Sequence, residues 1–310
     1  MVETLTAALW AVNINLPTVS LAGWIASVDA QMAQAQAGGA QLLMLPEFAC
    51  AQWLSFAPGG LALTNQVPWL ASLADEALAA LRPLPSRYGI ALLPGTLPYA
   101  EAAGKNKPPS YHNRAFLLLP DGRVFTQDKL CLTPSERNPE GWLLTPGKRL
   151  NVIDWQGLRI AIVICLDVEF TALWARLARL DLDLILVPAK TDMLSGFYRV
   201  FGCARARAIE LQTVVCAAGA IGIPLTPVAV DTVLGGAAAY VPCEASLGFT
   251  GINAALEPHA ASSGLSPLLF AKDLPIGAAR RIRHGAAEAE VWPGSWTAEH
   301  VTIANAKPRS

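Results

Sequence analysis

Two hairpins limit most sharply what this chain can fold into. "AFLLLPDGRVFTQ" (115–127) is a pair of apolar runs joined at Asp121-Gly122, and "LNVIDWQGLRIAIVICLD" (150–167) doubles back at Gln156-Gly157. A polar residue followed by glycine supplies the positive φ of a tight turn, and strands joined in this way run antiparallel. Around the hairpins, single apolar runs alternate with helical patterns. Strands are predicted over 5–12, 41–48, 89–95, 183–188 and 213–218, and helices over 20–37, 66–82, 169–180 and 195–211. Gly38-Gly39 stop the first helix, and Leu70, Leu73, Leu78 and Leu81 give the second an apolar face. Strand–helix units ask for parallel strands with both sheet faces covered. The two signals together predict a layered α/β fold with mixed sheets and exclude a purely parallel wound sheet.

The 310 residues can bury a sizeable core, and 53% of them are hydrophobic against 15% charged. A net charge of −1, with Lys and Arg spread along the chain, excludes a nucleic-acid surface, which needs concentrated positive charge. The stretch 211–230 has the length of a membrane span but carries Gln212, Gly219, Gly222, Pro224 and Pro227, and reads as a buried strand plus a loop. The start "MVETLTAALW" has no basic region of a secretory signal, so a cytoplasmic protein is expected. The six cysteines form no CxxC pair, and the four histidines show no metal-ligand spacing with them. Most of these thiols read as small core hydrophobes, and neither a disulfide framework nor a metal is expected. There is no internal repeat. Residues 101–110 read as a surface excursion; one domain is expected over 1–285, followed by a tail over 286–310.

Three strand ends deliver unusual residues. "LLMLPEF" emerges through Pro46 to present Glu47, and a carboxylate against apolar surroundings gains the raised pKa of a general base. "QDKLCLTPSERN" places Lys129 after a hairpin strand and Glu136 seven residues on; a fixed cation there can hold a developing oxyanion. "LRIAIVICLD" ends on Cys165, where a strand-to-helix turn would expose the sulfur to backbone N–H groups and lower its pKa. Taken singly, Glu47, Lys129 and Glu136 also read as solvated charges and Cys165 as a core thiol. No histidine lies in a recognisable Cys–His pattern, and GxSxG, GxGxxG, P-loop and HExxH are absent. Covalent catalysis would therefore have to recruit Glu47 and Lys129.

The ordered set Glu47…Lys129…Cys165 resembles the carbon–nitrogen hydrolase (nitrilase) superfamily. "LLMLPEF", "DKLCLTPSER" and "RIAIVICLDVEF" resemble its Glu, Lys and Cys motifs, "YRVFGCARARAIELQTVVCAAG" the helix and strand that follow, and "VPCEASLGFTGI" a loop of one amidase-like branch. The resemblance runs over about residues 5 to 285. Thr171-Ala172 stand where the family commonly has Pro-Glu, and Ala217-Ala218-Gly219 end a strand where many relatives place Asn.

The resemblance implies a four-layer α-β-β-α sandwich with two mixed sheets, and a homodimer joined through helical layers, with helix 195–211 and the tail as candidate contacts. It implies Cys165 as nucleophile, Glu47 as base, Lys129 and the Leu166 N–H as oxyanion holders, and Glu136 as a second glutamate that holds Lys129 and positions the leaving amine. Lys190 and Thr191, just past strand 183–188, are assigned to substrate binding. Arg207 and Glu210 read as a structural ion pair. The implied reaction needs no cofactor and no metal. Leu166-Asp167 follow the cysteine where nitrile-cleaving relatives carry Trp-Glu, which favours a small amide or carbamoyl substrate. A nitrilase or acyl-transfer enzyme with the same set, and a silent binding protein on this fold, are the alternatives.

Overall fold

Alternation along the strands builds two sheets around a shared core. In β1 (Leu5–Trp10), Ala7 and Leu9 enter one apolar cluster while Ala8 and Trp10 enter another. β2 (Leu42–Met44) and β3 (Ala91–Leu93) repeat the pattern, with Leu42, Met44, Ala91 and Leu93 on one side and Leu43 and Leu92 on the other. Successive side chains of a strand point to opposite faces, so one set fills the space between the sheets and the other meets the helices. Both faces are covered, which is why these strands read as continuous apolar runs. This computed structural model describes residues 2–102, 104, 108–222, 234–290, 293 and 295–302.

The first sheet has the order β15-β1-β2-β3-β5-β4, where β15 is Leu268–Leu274, β5 is Ser110–Leu118 and β4 is Thr96–Glu101; β6 (Val124–Asp128) pairs with β5. The second has the order β13-β12-β10-β9-β8-β7: Ile252–Ala255, Ala237–Tyr240, Val214–Gly219, Leu184–Ala189, Leu158–Ile162 and Val152–Trp155. β11 (Leu234–Gly235) and β14 (His259–Ala260) form a short ribbon. Each large sheet has a parallel centre, β1-β2-β3 or β8-β9-β10, and antiparallel neighbours. Both expected hairpins are present, as β5/β6 and β7/β8.

Helices cover the outer faces and complete four layers, α-β-β-α. α1 (Leu21–Ala37) buries Trp24, Val28, Met32 and Ala35, a stripe of helical spacing, beside α2 (Leu63–Leu81) and α3 (Pro83–Tyr88). Ser20 caps α1, its Oγ accepting the Gly23 N–H at 3.1 Å. The second sheet carries α5 (Thr171–Leu177) and α6 (Leu194–Glu210). α4 (Pro134–Arg137) is one turn, and α7 (Ile276–Arg281) follows β15. Among the described residues no helix is long and apolar enough to cross a membrane. β10 fills the strand part of 211–230, whereas 223–230 lie outside the described residues, as do 103 and 105–107 of the expected surface excursion and parts of the tail.

Two departures from the sequence reading have physical causes. The helix expected over 169–180 is shorter: Cys165–Glu169 form a 3-10 turn ahead of it, and α5 runs from Thr171 to Leu177. The strands β12, β13 and β15 were not expected, since Ala237-Ala238-Ala239 lack the branched and aromatic residues that favour strands. β12 takes its conformation from pairing with β10, β13 from pairing with β12, and β15 from pairing with β1.

A buried carboxylate ties α7 and the residues after it, and through Arg280 also Val2, to the second sheet. Asp183 accepts from the Arg159 N–H (2.9 Å), from Arg280 Nε and Nη2 (2.8 Å each) and from Arg283 Nη2 (2.9 Å), while Arg280 also donates to the Val2 carbonyl. Burial alone would raise this carboxyl, but the donors outweigh it and hold it below the usual carboxylate range. A depressed folded-state pKa gives stability that is full above the unfolded value and is lost as pH falls through the folded one. Asp183→Asn is expected to cost about 3 kcal/mol, because it leaves two arginines short of a counter-charge. Urea unfolding at neutral pH checks this, and the gap to wild type should narrow in acid.

Candidate active site

Three loops at the strand ends bring Glu47, Lys129, Glu136 and Cys165 together. β2 leads into Pro46-Glu47, β6 into Lys129, and β8 into Cys165. The residues at the turns are conformationally unusual: Phe48, just after Glu47, has φ 53°, and Cys165 has φ 47°. Positive φ at a non-glycine residue is strained and held only by its surroundings. Two glycines permit the close packing. Gly95 has φ +81°, and a Cβ there would lie 2.1 Å from the Pro46 carbonyl oxygen; a Cβ on Gly147 would lie 2.7 Å from Asp128 Cβ, next to Lys129.

Lys129 is the hub. Its Nζ donates to Glu47 Oε1 at 2.8 Å and to both Glu136 oxygens at 2.9 Å, and its side chain is only 2% exposed. Burial pulls this ammonium down, but Glu47, Glu136 and Cys165 outweigh it and push its pKa well above the ordinary lysine value. Glu136 is placed by its own helix start. Thr133 Oγ1 accepts the Glu136 N–H (3.3 Å), Glu136 Oε2 accepts the Thr133 N–H (2.8 Å), and Pro134 opens the turn, forming a capping box.

Glu47 is 1% exposed, and both its oxygens are occupied. Oε1 accepts from Lys129 and from Asn113 Nδ2 (2.8 Å), and Oε2 accepts from the Lys190 N–H (2.9 Å). Burial raises its pKa more than Lys129 lowers it, and the Glu136 charge adds to the rise. Cys165 is 5% exposed, and its Sγ donates to the Lys190 carbonyl at 3.4 Å. The sequence reading expected a lowered thiol pKa here. Burial and the Glu47 carboxylate instead push it well up, and Lys129 only partly opposes them. The five-residue 3-10 turn offers no long helix dipole to reverse this. Leu166 follows Cys165 as the second residue of that turn, where an N–H has no intrahelical acceptor.

Two further residues, missed in the sequence, lock the loops. Asn113 on β5 donates to both Glu47 Oε1 and Glu136 Oε1 (3.1 Å), bridging the two carboxylates. Asp167, two residues past Cys165, accepts from the N–H groups of Leu130 (3.0 Å) and Cys131 (2.6 Å) and so fastens the cysteine turn to the lysine loop. Burial raises Asp167 to about 6 against the pull of those two donors. Asp167→Asn would set an amide NH2 against a backbone N–H. A kcat loss of about 10- to 100-fold is expected from the misplaced loops, together with loss of any acid limb near pH 6; a pH–rate profile checks it.

A cavity of about 110 Å3 lies beside these groups. Glu47, Lys129 and Glu136 line it, with the edge-to-face pair Phe48 and Trp142 (ring centroids 4.8 Å apart), and Lys190 and Asp192. Cys165 is not a lining residue; it adjoins the cavity through Glu47 and the Lys190 backbone. Thr191 is turned away, its hydroxyl donating to the Leu234 carbonyl at 3.4 Å. Arg207 pairs with Glu210 as expected, and it also donates to the Val168 carbonyl and lies over the Trp174 ring, bracing the cysteine turn. Among the described residues, Glu101, His112 and Asp128 have the spacing of metal ligands, but Arg114 already donates to both carboxylates.

This fold and this grouping of side chains define a class, and comparison with known proteins agrees. The sequence model of the carbon–nitrogen hydrolase family matches residues 6–247. The chain belongs to that family. The probable hydrolase YhcX of Bacillus subtilis is 30% identical over 184 residues, 58% of this chain and 33% of that protein. An (R)-stereoselective amidase of a Pseudomonas species is 30% identical over 105 residues, 34% of this chain and 37% of that one. The chain thus spans about a third of the length of these two relatives. In structure it is similar to a nitrilase-superfamily amidase of Nesterenkonia, with a TM-score of 0.66 and 23% identity over 92% of this chain and 95% of that one, which establishes the shared fold.

Proposed function

We propose that the protein is a thiol-dependent hydrolase of small non-peptide amides or carbamoyl compounds. The observation that carries this reading is the buried contact of Glu47, Lys129 and Glu136 beside Cys165 at one cavity. Burial raises the Glu47 carboxyl pKa and so strengthens it as a base, and it takes the proton from Cys165 as the sulfur attacks. The thiol gives up its hydrogen bond to the Lys190 carbonyl in that step. The S–C bond forms, and the carbonyl electrons move to an oxyanion held by Lys129 and the Leu166 N–H. Glu47 passes the proton to the leaving nitrogen as the C–N bond breaks, and Glu136 positions that amine. Water then gives a proton to Glu47, attacks the thioester and releases the acid, and Cys165 regains its proton. Burial of all four groups keeps these charges in a low dielectric, where each interaction is stronger than in water.

Leu166-Asp167 after the nucleophile and the amidases among the similar proteins favour amides over nitriles. Ammonia release on matched amide and nitrile panels tests this; turnover of amides with none of nitriles is expected, and the reverse would overturn it. We also place a homodimer contact on α6, where Leu194, Tyr198 and Ile209 are exposed along one face. Sedimentation of wild type against Tyr198→Glu checks it.

A further inference from the structure

We infer that the amide accepted by this cavity carries a carboxylate, and that Lys190 is the residue that selects it. The inference rests on the amide-hydrolase reading above and names its substrate class. Lys190 is joined to the reaction centre through its main chain. Its N–H donates to Glu47 and its carbonyl accepts from Cys165, and Lys190 lines the same cavity as Asp192, to which its ammonium is paired. The ammonium therefore lies within one side chain's length of the carbon that sulfur attacks. It can read a group only a few bonds from the scissile amide.

The charge it reads follows from the pairing. The Lys190 side chain is 8% exposed, and among the described residues its charged partner is Asp192, whose side chain is 37% exposed. An ammonium has three donors, and a buried one with open donors gains from each acceptor supplied. Asp192 stands half in solvent and loses little when released. A substrate carboxylate can thus take its place on Lys190, and the buried charge stays paired throughout. Glu47, Glu136 and Asp192 line the cavity beside Lys129 and Lys190, and the first two are committed to Lys129; an ammonium-bearing substrate that took Asp192 would leave the buried Lys190 without its charged partner. A neutral tail would gain nothing from Lys190. With about 110 Å3 available, the fit is to the monoamide of a short dicarboxylic acid.

Steady-state kinetics on three amides of matched length tests this: glutaramate, pentanamide and 5-aminopentanamide. Glutaramate is expected to exceed pentanamide in kcat/KM by about 10- to 100-fold, the scale of one charge-assisted hydrogen bond, chiefly through KM. Lys190→Met should bring that ratio close to one. Asp192→Asn should raise it, because the ammonium is freed of its competitor; a merely structural ion pair would not give opposite signs. Equal use of pentanamide, or preference for the amine, would overturn the inference while leaving the amidase reading intact. Turnover of no amide would defeat that reading instead. Calorimetry on Cys165→Ala then decides the selectivity alone: tighter binding of glutaramate than of pentanamide upholds it, and equal binding overturns it.

Discussion

Cys165→Ala is expected to lower amide hydrolysis by about 10,000-fold or more while leaving the fold intact. The side chain is small and makes one sulfur hydrogen bond, to Lys190, so its loss opens little space. Thermal unfolding should stay within a few degrees of wild type. The chemistry has no substitute: Glu47 and Glu136 are committed to Lys129, and Cys131 is on the neighbouring loop, where burial raises its pKa as well. Cys165→Ser is expected to be nearly as poor. A hydroxyl is far harder to deprotonate than a thiol. Residual turnover above about one part in a thousand in either variant would contradict the assigned nucleophile.

Lys129→Met is expected to combine a loss of activity with a loss of stability of about 3–5 kcal/mol, the scale for removing one partner of a buried ion pair. The ammonium meets two carboxylates, Glu47 and Glu136, and all three side chains are at most 5% exposed. Without it, Asn113 alone bridges two like charges. The proton affinity of Glu47, already raised by burial and by the Glu136 charge, must then rise further, because the Lys129 pull that lowers it is gone. A raised folded-state carboxyl pKa gives stability that is full below the unfolded value and is lost as pH rises through the folded one. The variant should therefore be closest to wild type in mild acid and weakest at neutral pH and above. Urea midpoints at several pH values check both sign and size. A Lys129→Met protein equally stable at all of them would show that the triplet is not charged as described.

How much of this was legible follows from distance along the chain. Glu47 and Cys165 stand out because each ends an apolar strand, and Lys129 because it follows a hairpin strand; taken singly each also reads as a solvated charge or a core thiol, and only their order and its resemblance to the family gather them. Glu136 could have been fixed further: Thr133-Pro134-Ser135-Glu136 spells a capping box, which dictates where that carboxylate turns. Asn113 gives no such signal, since one amide within a strand does not reveal which face is buried. Asp167 is visible beside the cysteine, but its acceptors' partners, the Leu130 and Cys131 N–H groups, lie 37 and 36 residues away. The direction of the Cys165 pKa was misjudged for a related reason. A turn next to a helix is a local feature, whereas burial and the Glu47 charge come from remote segments and outweigh it. The strands at the far edge of the second sheet, rich in alanine, take their form from pairing and not from their own residues.

Intact-protein mass spectrometry after rapid acid quench tests the central claim most directly. Wild-type enzyme mixed with a turned-over amide should carry the mass of its acyl group, and peptide mapping should place that group on Cys165. The adduct should build up further in Glu47→Gln, which lacks the base needed to activate water. Steady turnover with no acyl adduct at any quench time, or an adduct mapped to another residue, would contradict the account.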